Sequence, residues 1–155
     1  MMNKVIIIDY GIGNIFSVDQ AFKKIGAKTL VTSNTEIIKK AKHLVLPGVG
    51  AFHKGMQKLH DLKLCETIIN TVNKGVPLIG ICLGMQMLFD ESDEFEVTKG
   101  LGLISGRVEK SPLGPIVGPN PGPTLDIEVA APEIEVIKSR PVNESNAANK
   151  KNITK

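Results

Sequence analysis

No block of one charge sign runs through this chain of 155 residues: its 19 lysines and arginines are scattered among 16 acidic residues, for a formal net charge of +3. That leaves no electrostatic footprint for nucleic acid. Long apolar runs are also missing. The run nearest the N-terminus, Val5-Ile6-Ile7-Ile8, stops at Asp9, far too short for a signal peptide or a membrane span, and no basic, membrane-facing helix is present. A cytoplasmic protein without a membrane partner is expected. Cysteine is limited to Cys65 and Cys82, with no metal-type spacing and no histidine pairs around them, so neither a zinc site nor a disulfide framework is supported and reduced thiols are expected. The glycine-rich stretch Asp9 to Asn14 is not a dinucleotide fingerprint, because the third glycine of Gly-x-Gly-x-x-Gly would fall at Phe16. No metal and no cofactor are implied. Aromatic residues make up only 4% of the chain, and none follows Phe95.

What is present is 42% hydrophobic residues, enough for a sizeable core in one domain. Val5 to Ile8 is a β-branched run of the kind buried on both faces of a parallel sheet. The Asp9 to Asn14 turn follows, then a helix with Ile15, Val18, Phe22 and Ile25 as its inner stripe, capped by Asn14 and ended by Gly26. Lys28 to Thr32 reads as a second strand, Asn34 to Lys40 as a short helix, and His43 to Leu46 as a third strand running into Pro47-Gly48-Val49-Gly50. Leu59, Leu62, Leu64, Ile68, Ile69 and Val72 give one or two helical segments closed by Gly75, before a fourth strand at Pro77 to Ile81. Strand and helix alternate with short links, which predicts an α/β, doubly wound (flavodoxin-like) parallel sheet in three αβα layers.

The chain is organised around Val76 to Glu91. A buried strand ends at Cys82, and Met85, Leu88 and Phe89 recur at helical spacing beyond it. Gly80 and Gly84 flank Cys82 at i−2 and i+2, the small-residue pattern of a nucleophile elbow, in which a tight reversal exposes the nucleophile at a helix N-terminus. A buried structural cysteine beside glycines needed only for close packing fits the same pattern. Context favours the elbow. Ligands of doubly wound sheets bind beyond the carboxyl ends of the strands, and Asp9 to Asn14, Pro47 to Ala51 and Gly80 to Gly84 all fall there. A thiolate at Cys82 could use the N–H of Leu83 and one from the Gly48-Val49-Gly50 turn as an oxyanion hole, at about 3 kcal/mol per donor, which suits acyl transfer. Releasing nitrogen from an amide also needs a general acid, usually histidine. His43, His53 and His60 all precede the elbow, and each reads as an ordinary surface histidine.

Four motifs carry a family resemblance: Ile8-Asp9-Tyr10-Gly11-Ile12-Gly13-Asn14, Leu46 to Phe52 (LPGVGAF), Gly80 to Phe89 (GICLGMQMLF) with Glu91-Ser92 after it, and Gly100-Leu101-Gly102-Leu103-Ile104. Over about residues 1–110 the chain closely resembles the glutaminase subunits of imidazole glycerol phosphate synthases, class I (triad) glutamine amidotransferases of histidine biosynthesis. The first motif is shared with close relatives in bacterial surface-sugar pathways. The resemblance implies that Cys82 attacks the side-chain amide of glutamine to give a γ-glutamyl thioester and ammonia. It further implies an oxyanion hole from Gly48, Val49, Gly50 and Leu83, and substrate-binding roles for Gln86 and Glu94. The Asp9 to Asn14 loop, with Tyr10, Gly11 and Asn14, would meet a cyclase partner of (β/α)8-barrel fold in a heterodimer. Ammonia passing through that partner would yield imidazole glycerol phosphate and an aminoimidazole carboxamide ribotide.

Beyond Arg107 the resemblance is lost. The family supplies its catalytic histidine and glutamate there as His-x-Glu, and this sequence has no such motif. From Pro112 onward it holds seven of its nine prolines. Three regions are therefore expected: residues 1–111 as an amidotransferase half-domain, 112–123 as a Pro/Gly-rich linker, and 124–155 as a tail with an edge strand or hairpin and then disorder. A frameshift, a premature stop or a chimeric gene prediction would produce such a switch. Three functions stay open: an amidotransferase subunit with glutaminase activity lost or reduced, a non-catalytic docking or regulatory subunit, and an unrelated cysteine enzyme of the same fold. A four-strand parallel core with an exposed edge also predicts marginal stability unless residues 124 to 137 patch it.

Overall fold

The computed structural model describes residues 4–109 and the backbone of 136–137. The linker expected at 112–123, most of the expected hairpin and the stretch from Ser139 lie outside the described residues.

The first strand, β1 (Val5–Ile8), leads through the Asp9 to Asn14 loop into α1 (Ile15–Lys24), where the Asn14 side chain accepts the Ser17 N–H. Next come β2 (Thr29–Thr32) and α2 (Thr35–Lys39), with Asn34 accepting from the N–H groups of Glu36 and Ile37. The chain continues through β3 (His43–Leu46), α3 (Phe52–Asp61), α4 (Leu64–Asn73) and β4 (Leu78–Gly80). Strands β1 to β4 are parallel, in the order β2-β1-β3-β4, with Ile7 opposite Val31 and Val45, and Val45 opposite Ile79. This is the alternation read from the sequence.

Side chains alternate across the sheet. Ile6, Ile8, Leu44, Leu46 and Leu78 join one buried cluster with Ile38 of α2, Met56 and Leu59 of α3, and Leu64 and Ile68 of α4. Ile7 and Val45 are equally buried but lie outside that cluster, on the face that α1 covers. No residue of α1 is fully buried, and Ile25, expected on its inner stripe, is 78% exposed as the residue that ends the helix.

Past Cys82 the structure departs from the helical spacing of Met85, Leu88 and Phe89. The helix α5 spans only Leu83–Gln86, and Phe89 opens β5 (Phe89–Ser92). The physical reason is long-range pairing: the N–H of Leu101 donates to the Met87 carbonyl, and those of Leu103 and Ile104 to Leu88. A second sheet results, with β6 (Thr98–Lys99) antiparallel and β7 (Ile104–Val108) parallel to β5. The short strand β8 (Val136–Ile137) pairs antiparallel with β4, Ile79 opposite Val136. That pairing places Val136–Ile137, part of the 124–137 segment, along β4, the last of the four parallel strands.

Candidate active site

The loops that follow β1, β3 and β4 meet at the carboxyl ends of the parallel strands. Gly84 lies so close to β3 that a Cβ on it would overlap the Leu46 carbonyl oxygen, and a Cβ on Gly48 would run into the Tyr10 hydroxyl and, at 2.9 Å, the Gly84 nitrogen. A Cβ on Gly13 would sit 3.4 Å from the Gly48 nitrogen. The three glycine-rich turns therefore converge because their glycines leave room for backbone to touch backbone.

Cys82 is the point of reversal. Its φ of 54° and ψ of −119° are those of a residue forced into a region that only glycine occupies freely, and its side chain is exposed. Strain of this kind persists only where the surroundings over-determine it: Leu83, Met87 and Leu88 are buried behind the turn, and a Cβ on Gly55 of α3 would strike the Met87 sulfur. Cys65 is the opposite case. It is buried in α4, and burial pushes its thiol up from the ordinary value.

Leu83 opens α5, so its N–H is one of the donors a helix leaves unpaired. Gly48 is buried while Val49 and Gly50 are exposed, and among the described residues the N–H groups of these three donate to no protein acceptor. The turn is held at both ends. At its start the Tyr10 hydroxyl donates to the Pro47 carbonyl at 2.8 Å; at its end the Phe52 N–H donates to Glu94 Oε2 at 3.4 Å, in place of the side-chain cap that Ala51 cannot give α3. Glu94 thus stands beside the turn on the loop after β5, and Gln86, half-buried, ends α5 one turn beyond Cys82. Of the three residues expected to meet a partner, Gly11 and Asn14 are exposed, whereas Tyr10 is 1% exposed within the chain. Burial pushes its hydroxyl well above the ordinary value, and the neighbouring Cys82 adds to the shift.

Among the described residues no histidine side chain hydrogen-bonds to this turn. His43 begins β3 at the opposite end of the sheet, and its Nδ1 is buried without a hydrogen-bond partner, which departs from an ordinary surface histidine. His53 packs edge-on against Phe95 with ring centroids 5.5 Å apart, and together with His60, Glu96 and Lys99 it lines a separate hollow of about 380 Å³. Another hollow, about 390 Å³, lies at the amino ends of the strands between Lys4, Leu30, Ile37 and Lys42. Among the described residues no group of three or more His, Cys, Asp and Glu could hold a metal, and no helix is long and apolar enough to cross a membrane.

A sequence profile described as glutamine amidotransferase class-I matches residues 6–148. The chain belongs to this family. Within it, the chain is 48% identical over 106 residues to the imidazole glycerol phosphate synthase subunit HisH of Geobacillus sp. (strain WCH70), an alignment covering 68% of this chain and 50% of that relative. It is 51% identical over 110 residues to the subunit of the same name from Methanothermobacter thermautotrophicus, covering 71% and 54%. The chain spans about half the length of the curated relatives it matches. A crystal structure of a glutamine amidotransferase superposes with a TM-score of 0.62 at 21% identity, covering 72% of this chain and 59% of the other, which supports the three-layer amidotransferase fold. The profile extends past Arg107, whereas the alignments with these two relatives cover 106 and 110 residues.

Proposed function

We propose that this chain carries the nucleophile and oxyanion part of a glutaminase subunit of imidazole glycerol phosphate synthase. The observation that carries the reading is Cys82 itself: an exposed thiol at a strained strand-to-helix reversal, beside which lies a turn whose N–H groups donate to no acceptor among the described residues. In this reading the Cys82 sulfur attacks the side-chain amide carbon of glutamine. The developing oxyanion is held by the N–H of Leu83 and by the Gly48-Val49-Gly50 turn, while Gln86 and Glu94 hold the amino-acid end of the substrate. Ammonia leaves once its nitrogen is protonated, and water then hydrolyses the thioester to glutamate. Ammonia would pass to a barrel-shaped cyclase docked at the exposed Gly11 and Asn14 loop.

Amide cleavage also needs a proton donor. Without a His-x-Glu motif, and with His43 at the far end of the sheet, the 155-residue chain is expected to release ammonia from glutamine only at background rates, with or without the cyclase. Turnover on the order of 10 per second, ordinary for an enzyme, would overturn that expectation. Binding to the cyclase without turnover would favour a docking subunit. The nucleophile is tested separately with a chloroketone analogue of glutamine: labelling should survive Cys65→Ser and vanish in Cys82→Ser, and its persistence in the second variant would refute the assignment.

A further inference from the structure

The hydroxyl of Tyr10 lies at the base of the turn that this proposed function makes an oxyanion hole, and the inference rests on that reading. Tyr10 is 1% exposed, so its donor has no water to satisfy it and is committed to the Pro47 carbonyl at 2.8 Å. That carbonyl and the Gly48 N–H belong to one planar peptide unit and point to opposite sides of it. Fixing the oxygen therefore fixes the direction of the N–H. The fit around this bond is close, since a Cβ on Gly48 would collide with the hydroxyl, and a Cβ on Gly13 would sit 3.4 Å from the Gly48 nitrogen.

We propose that Tyr10 is a positioning residue of the oxyanion turn: its hydroxyl holds the Pro47–Gly48 peptide, and with it the Gly48-Val49-Gly50 turn, in one orientation, and the Asp9 to Asn14 loop is thereby fastened to the chemistry as well as to a partner. In this role Tyr10 takes no part in bond making and acts through the turn. Removing its oxygen leaves the Cys82 thiol in place and frees the Pro47–Gly48 peptide to rotate.

Two alkylating probes separate the roles in the full chain. With a chloroketone analogue of glutamine, the Cys82 sulfur bonds to the chloromethyl carbon, chloride leaves, the thiol proton passes to solvent, and the ketone oxygen occupies the oxyanion site on the way. Iodoacetamide alkylates the same sulfur with loss of iodide and no carbonyl addition. Tyr10→Phe should slow the chloroketone at least about tenfold, a fraction of what losing an oxyanion donor outright costs, and leave the iodoacetamide rate within about twofold. Equal slowing of both probes, or of neither, overturns the proposal. Failure of the unmutated chain to react with the chloroketone, while iodoacetamide still labels Cys82, removes the glutaminase reading and this one with it. Should Tyr10→Phe not fold, the unmutated chain still decides: Tyr10 is the only tyrosine, so 3-fluorotyrosine labelling gives one 19F line. That line should shift on chloroketone modification, and a line that stays in place overturns the assignment.

Discussion

On one face of the main sheet, Ile38, Leu59, Leu64 and Ile68 of α2, α3 and α4 are fully buried over Ile6, Ile8, Leu44, Leu46 and Leu78. On the other, α1 buries no residue completely and leaves Phe16 74% and Ile25 78% exposed. Half-buried Ile15, Val18 and Phe22 line this helix, and one side-chain hydrogen bond ties it to the sheet, from the Thr29 hydroxyl of β2 to Asp19, which also accepts from Lys23. The nucleophile turn rests on the thick face, through Leu83, Met87 and Gly55. The exposed loop of Gly11 and Asn14 leads into the thin one. The division teaches that the strained part of the site is built on the densely buried side of the molecule, where many contacts over-determine the turn, and the surface-facing part on the side with fewer buried residues.

The largest effect is expected where the thick face meets the reversal. Gly84→Ala places a methyl on the Leu46 carbonyl and should cost more than about 4 kcal/mol, read as loss of a cooperative urea transition; a transition near that of the unmutated chain would show that the turn can open. The comparison of faces is sharpened by a pair. Ile68→Ala, on the thick side, should lose roughly 2–5 kcal/mol, and Phe22→Ala, half-buried on the thin side, distinctly less by the same measurement. Equal losses would mean that α1 is as well packed as α4. The smallest effect concerns pH. Hydrogen bonds from Lys23 and Thr29 hold the Asp19 carboxyl below its ordinary range, so the stability it contributes is present above the unfolded value of about 3.9 and is lost as pH falls through the lower folded value. Asp19→Asn should flatten the acid limb below about pH 4, and an unchanged limb in a pH series of melting temperatures would show the bond to be inert.

Much of this was legible in the residues. His43–Leu46 is the third strand with the bounds read from its β-branched and aliphatic run, and the caps at Asn14 and Asn34 fall where their side-chain oxygens can reach the first free N–H groups. The carboxyl-end convergence of the three glycine turns followed from parallel topology alone. Illegible were the contacts set by distant pairing. Leu88 and Phe89 satisfy a helical period as well as a strand, and the decision lay with Leu101, Leu103 and Ile104, a dozen or more residues on. Tyr10 is 37 residues from Pro47, and Glu94 is 42 from Phe52; no local pattern announces either clamp.

The positive φ of Cys82 has a consequence for how such a chain changes over generations. Glycine at that position would relax the backbone and, at a strain of about 1–3 kcal/mol, leave a more stable protein with no thiol. Selection for stability alone would therefore favour glycine there. A thiol held at φ 54° stands against the preference of the backbone, and Cys82→Gly should raise the urea midpoint while abolishing chloroketone labelling.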